Sequence, residues 1–299
     1  MGLMDAYGSE DRCREILEEL RWPDGPTCPK CGGKKLSRVS TRHQLYCEAD
    51  SCGYQFSATA GTIFHDSHLP LRKWFVAVYL MTESRKGISA NQIKRMLGIG
   101  SYRTAWYLCH RIRAAMVEAN PEPLGGVVEA DETYVGGKMG NKHRTKREAA
   151  RVRMQNKVIV LGAVERGGNL RLRMAPNARK GAVKEFFGDV VADDVSAIYT
   201  DEFRSYDWVG NADTAHDSVT HRSGEYVRGI VHTNTIESAW SLFDRAIIGS
   251  YHKITAKHLP AYLAEFEWRF NNRENPFLFR DTLARLVAAE AMPYKTLTA

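Results

Sequence analysis

The chain has 299 residues, 43% hydrophobic and 26% charged, and its 42 Lys and Arg exceed 35 Asp and Glu to give a net charge of +7. That length accommodates one large domain or two to three smaller ones, and the basic excess favours a polyanionic partner without identifying one. The longest apolar runs, Trp74 to Met81 and Val158 to Val164, fall far short of the roughly 20 residues that cross a bilayer, so no membrane span is expected. Residues 1–20, predicted as an N-terminal helix, are acidic and lack the charged, apolar and small-residue order of a secretory signal. The expected compartment is the cytoplasm.

Four of the six cysteines follow the spacing Cys28-x2-Cys31-x15-Cys47-x4-Cys52, and the knuckles CPKCGG and CEADSCGY place glycines where the backbone turns towards sulfur. This is a zinc pattern. Four thiolates fill a tetrahedral Zn²⁺ and leave no position for water, so the site is expected to be structural. Two disulfides are the alternative, disfavoured in a reducing compartment. Residues 21–60 are therefore predicted as a zinc ribbon that draws its folding free energy from the metal. Lys30, Lys34, Lys35, Arg38 and Arg42 surround the knuckles, where they either meet phosphates or offset the charge of the thiolates. Cys13 and Cys109 read as small buried hydrophobes, and His65 and His68 as loop residues.

Residues 65–120 carry apolar positions at helical spacing. Ser89 and Gln92 form a capping-box pair opening a helix through Leu97, Gly98-Ile99-Gly100 ends it, and Ser101 caps the next. Two short helices around a glycine turn read as helix-turn-helix, presenting Tyr102, Arg103 and Thr104 to a DNA groove, with Arg111 and Arg113 as further basic partners. An ordinary helical hairpin is the alternative.

Pro121, Pro123 and Gly125-Gly126 mark a boundary, after which a second domain is expected over 125–285. Strands are predicted at Val127–Asp131, Lys157–Glu165, Leu170–Met174 and Ser196–Thr200, with a helix at Lys180–Val191. The order implies an α/β fold with a mixed sheet flanked by helices, compatible with RNase H-like architecture among other α/β arrangements. Inside it, 138–157 carries eight Lys or Arg and one acid, a basic insertion in which Arg144, Lys146 and Arg147 are candidate DNA contacts. Phe266, Trp268 and Phe270 are expected to pack a C-terminal helix on the sheet.

Asp131 and Asp201 each end an apolar strand, where a side chain leaves the sheet yet stays on a rigid frame. Such carboxylates suit Mg²⁺ or Mn²⁺, and paired hard cations drive phosphodiester chemistry. Glu129 lies on the same strand face as Asp131, either supporting the site or pairing with a base. Asn234-Thr235-Ile236-Glu237 is legible both as a capping box and as a metal ligand at a helix start.

The segments CGYQFSATAGTIF, EADETYVGG, IYTDEFRSYD, HTNTIESAWSLFDRAIIGSYH and YLAEFEWRFNNR occur in this order. Together they make the chain resemble the Merlin-like bacterial insertion-sequence transposases over about residues 15–280. That resemblance implies a zinc ribbon followed by an RNase H-like catalytic domain in which Asp131, Asp201 and Glu237 hold the catalytic ions, with Asn234 the alternative third ligand. It also implies binding to element ends and target DNA, and pairing of ends calls for a homo-oligomer. One departure stands out. Where the family commonly has Lys or Arg seven residues after the third carboxylate, this chain has Asp244, and Arg245 beside it is the expected substitute contact with DNA. A zinc-containing regulator that binds without cutting, and a structure-selective nuclease that cuts without joining, are the competing functions.

Overall fold

The computed structural model describes residues 7–136, 157–201, 206, 214–219 and 227–299. Of the basic insertion only Lys157 is described, so Arg144, Lys146 and Arg147 lie outside the described residues. Two compact units emerge, one of residues 1–116 with 274–299 and one of residues 117–273.

The first unit opens with helix α1 (Glu10–Arg21), whose start is fixed by the Ser9 side chain accepting the Arg12 N–H, and which buries Cys13 and Leu17. Strands β1 (Leu36–Val39), β2 (Gln44–Cys47) and β3 (Gln55–Phe56) form a small antiparallel sheet. Helix α2 (Leu71–Glu83) buries Trp74, Phe75, Val78 and Met81 along one side. Helices α3 (Ala90–Met96) and α4 (Tyr102–Ala115) follow. Both halves of the predicted capping box are present, with Ser89 accepting the Gln92 N–H and the Gln92 side chain accepting the Ser89 N–H. Gly98, at φ 58°, supplies the left-handed residue that ends α3.

The second unit is built on a five-stranded sheet in the order β6-β5-β4-β7-β8. Its strands are β4 (Val127–Val135), β5 (Val158–Glu165), β6 (Leu170–Ala175), β7 (Ala197–Asp201) and β8 (Ala215–Val219). The first three are antiparallel, and β7 and β8 run parallel to β4, which is the RNase H-like arrangement anticipated from the strand order. Alternation along β4 and β5 divides the core. Val128, Ala130, Leu161 and Ala163 pack with Phe186, Phe187 and Val190 of α5 (Lys180–Val190). On the other face, Val160 and Val164 pack with Ile236, Trp240 and Phe243 of α6 (Asn234–Ala246) and Leu263 and Phe266 of α7 (Leu259–Asn271). The short pair β9 (Val227–Arg228) and β10 (Val231–His232) precedes α6.

Helix α7 also closes the edge of the sheet. Asn271 accepts the Leu170 N–H at 2.7 Å and donates to the Leu170 carbonyl, while Glu267 accepts the Leu172 N–H at 2.9 Å, so edge groups of β6 that would template another strand are satisfied by side chains. The chain then rejoins the first unit. Residues 274–285, expected with the sheet, instead belong to that unit: Phe279 of α8 (Leu278–Ala288) sits among Tyr7, Phe75 and Tyr79, and Ile63 donates to the Ala289 carbonyl. A short helix α9 (Tyr294–Thr298) ends the chain.

Candidate functional site

The sulfurs of Cys28, Cys31, Cys47 and Cys52 all lie within 4.8 Å of one another. The Cys28–Cys52 pair is 3.7 Å apart and the Cys31–Cys47 pair 3.6 Å, close to the ~3.8 Å edge of a tetrahedron with Zn–S bonds of about 2.3 Å and far from the about 2.05 Å of a disulfide. A Cβ on Gly33 would stand 3.2 Å from the Cys31 sulfur, so the second knuckle glycine keeps room for the cluster. Loss of solvation opposes the Cys28 thiolate, but the backbone amides of Cys31 and Lys30 and the neighbouring thiols outweigh it and bring the group down to about 7. This donor set fits a structural zinc ion. Arg38, among the cations around the knuckles, forks onto Glu18 of α1.

In the second unit, Asp131 on β4 and Asp201 at the end of β7 come together as the sequence implied, each half-buried. Among the described residues the third carboxylate of this close group is Glu132, not Glu237: ligand oxygens of Asp131, Glu132 and Asp201 lie within 4.8 Å of one another. Sequence reasoning missed Glu132 because neighbours on a strand point to opposite faces. Recorded pairing of β4 with β7 stops at Glu129 opposite Tyr199. Beyond that pairing, ligand oxygens from both faces of β4 come together with Asp201. On its own face Glu132 accepts the Tyr206 hydroxyl at 3.1 Å.

Crowding has an electrostatic consequence. Burial, then the charges of Asp201 and Glu132, push the Asp131 carboxyl from the ordinary 3.8 up to about 7, with a smaller contribution from Glu237. Burial and Asp201 likewise raise Glu132 from 4.5 to about 7, against the Tyr206 hydrogen bond, which lowers it. Hard oxygen donors that repel one another when ionised are a fit for a divalent cation, whose charge removes the repulsion.

Glu237 lies on the exposed side of the first turn of α6, where its carboxylate accepts the Thr233 hydroxyl at 2.9 Å. Asn234 is exposed beside it. The capping box read at Asn234 is absent: the helix begins one residue earlier than that reading requires, with Thr233 at the N-cap and no side-chain cap of its own. Glu129 caps it instead. One oxygen accepts the backbone N–H groups of Thr235 and Ile236 at 2.7 and 3.1 Å, and the other accepts the Thr235 hydroxyl at 2.9 Å and Arg166 Nε at 2.7 Å. Arg166 also donates to the carbonyls of Ile230 and His232 and stacks on Tyr199. Of the two roles entertained for Glu129, the one observed is pairing with a base, Arg166, at a side chain with no exposed surface.

A model of the ISXO2-like transposase domain matches residues 123–271, and a transposase zinc-ribbon domain matches residues 8–55. A protein in transposable element ISH50 of Halobacterium salinarum is 32% identical over 277 residues, covering 88% of this chain and 91% of that protein. The chain belongs to the ISXO2-like insertion-sequence transposases. A transposase-like protein of Haemophilus influenzae is 32% identical over 101 residues, 34% of this chain and 80% of its own length. The carboxylate group of the transposase lies inside the matched transposase domain, and the four cysteines inside the matched ribbon.

Two of the basic residues expected on DNA are placed elsewhere. Arg111 is 4% exposed; its guanidinium donates to the carbonyls of Ile63 and His65 and stacks between Trp74 and Tyr107. Arg113 is 1% exposed. Burial of α4 from Ala105 onwards leaves its first turn as the exposed part, where Tyr102, Arg103 and Thr104 stand on the surface and Arg103 stacks on Tyr294 at 4.1 Å. Arg245 is exposed on α6 and donates to Ser241 at 2.6 Å, with Asp244 exposed next to it. No helix among the described residues is long and apolar enough to cross a membrane.

Two outcomes follow from this geometry. Glu129→Ala leaves Arg166 without its carboxylate and the start of α6 uncapped, and is expected to cost about 3 kcal/mol in denaturant unfolding. The raised carboxyls mean that the metal-free folded state holds more protons than the unfolded state between their ordinary values and about 7. Stability without divalent ions should therefore fall as pH rises through that window. Added Mg²⁺ should raise the thermal midpoint more at pH 8 than at pH 5, where protons compete for the same oxygens.

Proposed function

We propose that the protein is an active DNA transposase that cuts at the ends of its element and joins them to target DNA. The observation that carries this reading is the crowding of Asp131 and Glu132, in the middle of β4, with Asp201, at the end of the adjacent β7, inside the matched transposase domain. Asp131 and Asp201 would hold divalent Mg²⁺ or Mn²⁺, with Glu132 completing the group and Glu237 approaching from the start of α6. Bound there, such ions activate the attacking oxygen and stabilise the leaving one. Water first hydrolyses the phosphodiester at the element end to leave a 3′-OH, and that hydroxyl then attacks a target phosphodiester, displacing its 3′ oxygen. Neither step requires a covalent bond to the protein. The sheet contributes rigidity, since β4 and β7 fix the carboxylates before DNA arrives.

The cysteine cluster would hold structural Zn²⁺, and the ribbon, with the exposed first turn of α4 around Arg103, would engage the terminal repeats. Arg245 replaces the cation that Asp244 lacks, and Arg144, Lys146 and Arg147 of the insertion add phosphate contacts. Two or more copies would bring paired ends together. The test is an incubation of zinc-loaded protein with Mg²⁺ or Mn²⁺, a labelled element end and a plasmid target. Wild type is expected to give strand-transfer product, falling by at least about 10²-fold in Asp131→Ala, Asp201→Ala and Glu237→Ala. Cutting without joining would identify a nuclease, and end binding indifferent to these changes, without cutting, a regulator.

A further inference from the structure

Asp131 meets a second element besides its own strand. The indole Nε1 of Trp240, two turns along α6 and 7% exposed, donates to Asp131 Oδ2 at 3.1 Å. A Trp ring reaches that carboxylate only by lying across the sheet, and the residue it crosses is the one paired with Asp131 in register, Gly162 on β5. A Cβ built on Gly162 would come within 2.5 and 2.7 Å of the far ring carbons of Trp240, and 3.2 Å from Ile236 Cδ1. The two contacts with the indole are closer than real Cβ atoms approach, so a side chain at 162 requires the indole to shift. Gly162 has no positive-φ requirement among the glycines of the chain; its lack of a side chain is used for close approach.

We propose that Trp240 is a positioning residue for the catalytic carboxylate and that Gly162 is the residue that lets it act. A carboxylate turns about its last torsion at little cost, and an Asp ligand is useful only when turned towards its ion. The indole N–H holds Oδ2, and in that orientation Asp131 offers an oxygen within 4.8 Å of ligand oxygens of Glu132 and Asp201. Outer hydrogen bonds of this kind orient ligands and tune their affinity for metal. The inference rests on the proposed role of Asp131 as a metal ligand.

The experiment is Mn²⁺ titration of the zinc-loaded full chain, read by the loss of the free-ion electron paramagnetic resonance signal, with no DNA present. Wild type is compared with Asp131→Asn, Trp240→Phe, Gly162→Ala and the Gly162→Ala/Trp240→Phe pair, each checked for an unchanged unfolding midpoint. Phe keeps the ring burial, removes the donor and lacks the far ring carbons that Gly162 accommodates. Trp240→Phe is expected to weaken Mn²⁺ binding about 10-fold. Gly162→Ala should weaken it at least as much, and adding Gly162→Ala to Trp240→Phe should cost little more, because the clash partner is gone. In ¹⁵N spectra, the indole resonance that vanishes in Trp240→Phe should shift when Mg²⁺ is added to wild type. Mn²⁺ binding unchanged in Trp240→Phe but lost in Asp131→Asn would overturn the role of Trp240 while leaving the metal site standing. Binding unchanged in Asp131→Asn would overturn both. If Gly162→Ala alone proves unstable, a double variant whose affinity equals that of Trp240→Phe still supports the proposal; a further large loss there would show that Gly162 acts otherwise.

Discussion

Glu129 is a fully buried carboxylate that accepts four hydrogen bonds from β5's outgoing turn and from the start of α6. Removing such a charge from water is costly unless every lone pair is matched, and here the match comes from segments distant in sequence. Arg166 neutralises the charge, while the N–H groups of Thr235 and Ile236 present the positive end of the α6 dipole to it. The sheet and the helix are therefore registered by one side chain two residues before Asp131. From that registration follows the rest of the site: Glu237 stands in the first turn of a helix whose start is fixed, and Trp240 one turn further reaches Asp131 itself.

The carboxylate group shows why such a frame is needed. Burial first, and then the charges of their neighbours, raise Asp131 and Glu132 to about 7, and on a flexible loop these acids would move apart and into water. Packing resists this. Val128 and Ala130 on one side of β4 and the Val160–Trp240–Phe243 cluster on the other hold the strand from both faces. The ribbon solves a similar problem with fewer residues, since its small core of Leu45, Phe56 and two of the cysteines surrounds thiols arranged at tetrahedral spacing.

Much of this was legible in the sequence because it is encoded locally. Cysteine spacing located the ribbon cluster, the Ser89–Gln92 box located α3, and apolar runs located β4 to β7 to within a few residues. Asp131 and Asp201 were found because both end apolar runs. What was not legible depends on partners far along the chain. Glu129 was ambiguous until Arg166 and Thr235 came to meet it, and the box read at Asn234 failed because the cap came from another strand. Arg111 looked like a DNA contact because a guanidinium in a helix is usually on the surface; here carbonyls and aromatic rings take it inside. Glu132 was hidden by strand alternation, which puts it on the opposite face of β4 from Asp131, yet its ligand oxygen lies within 4.8 Å of those of Asp131 and Asp201. Gly162 carried no turn signal at all, because its role is set by a tryptophan 78 positions away, at 240.

The proposed function depends on Asp131, Glu132 and Asp201 forming one divalent-metal centre. Crystals of the zinc-loaded protein equilibrated with Mn²⁺, with anomalous difference maps recorded at the manganese edge, test it most directly. A manganese peak is expected within about 2.2 Å of oxygens from both Asp131 and Asp201, with Glu132 in contact with the same ion. No peak between the middle of β4 and the end of β7, or a peak that leaves either aspartate unbound, would overturn this assignment.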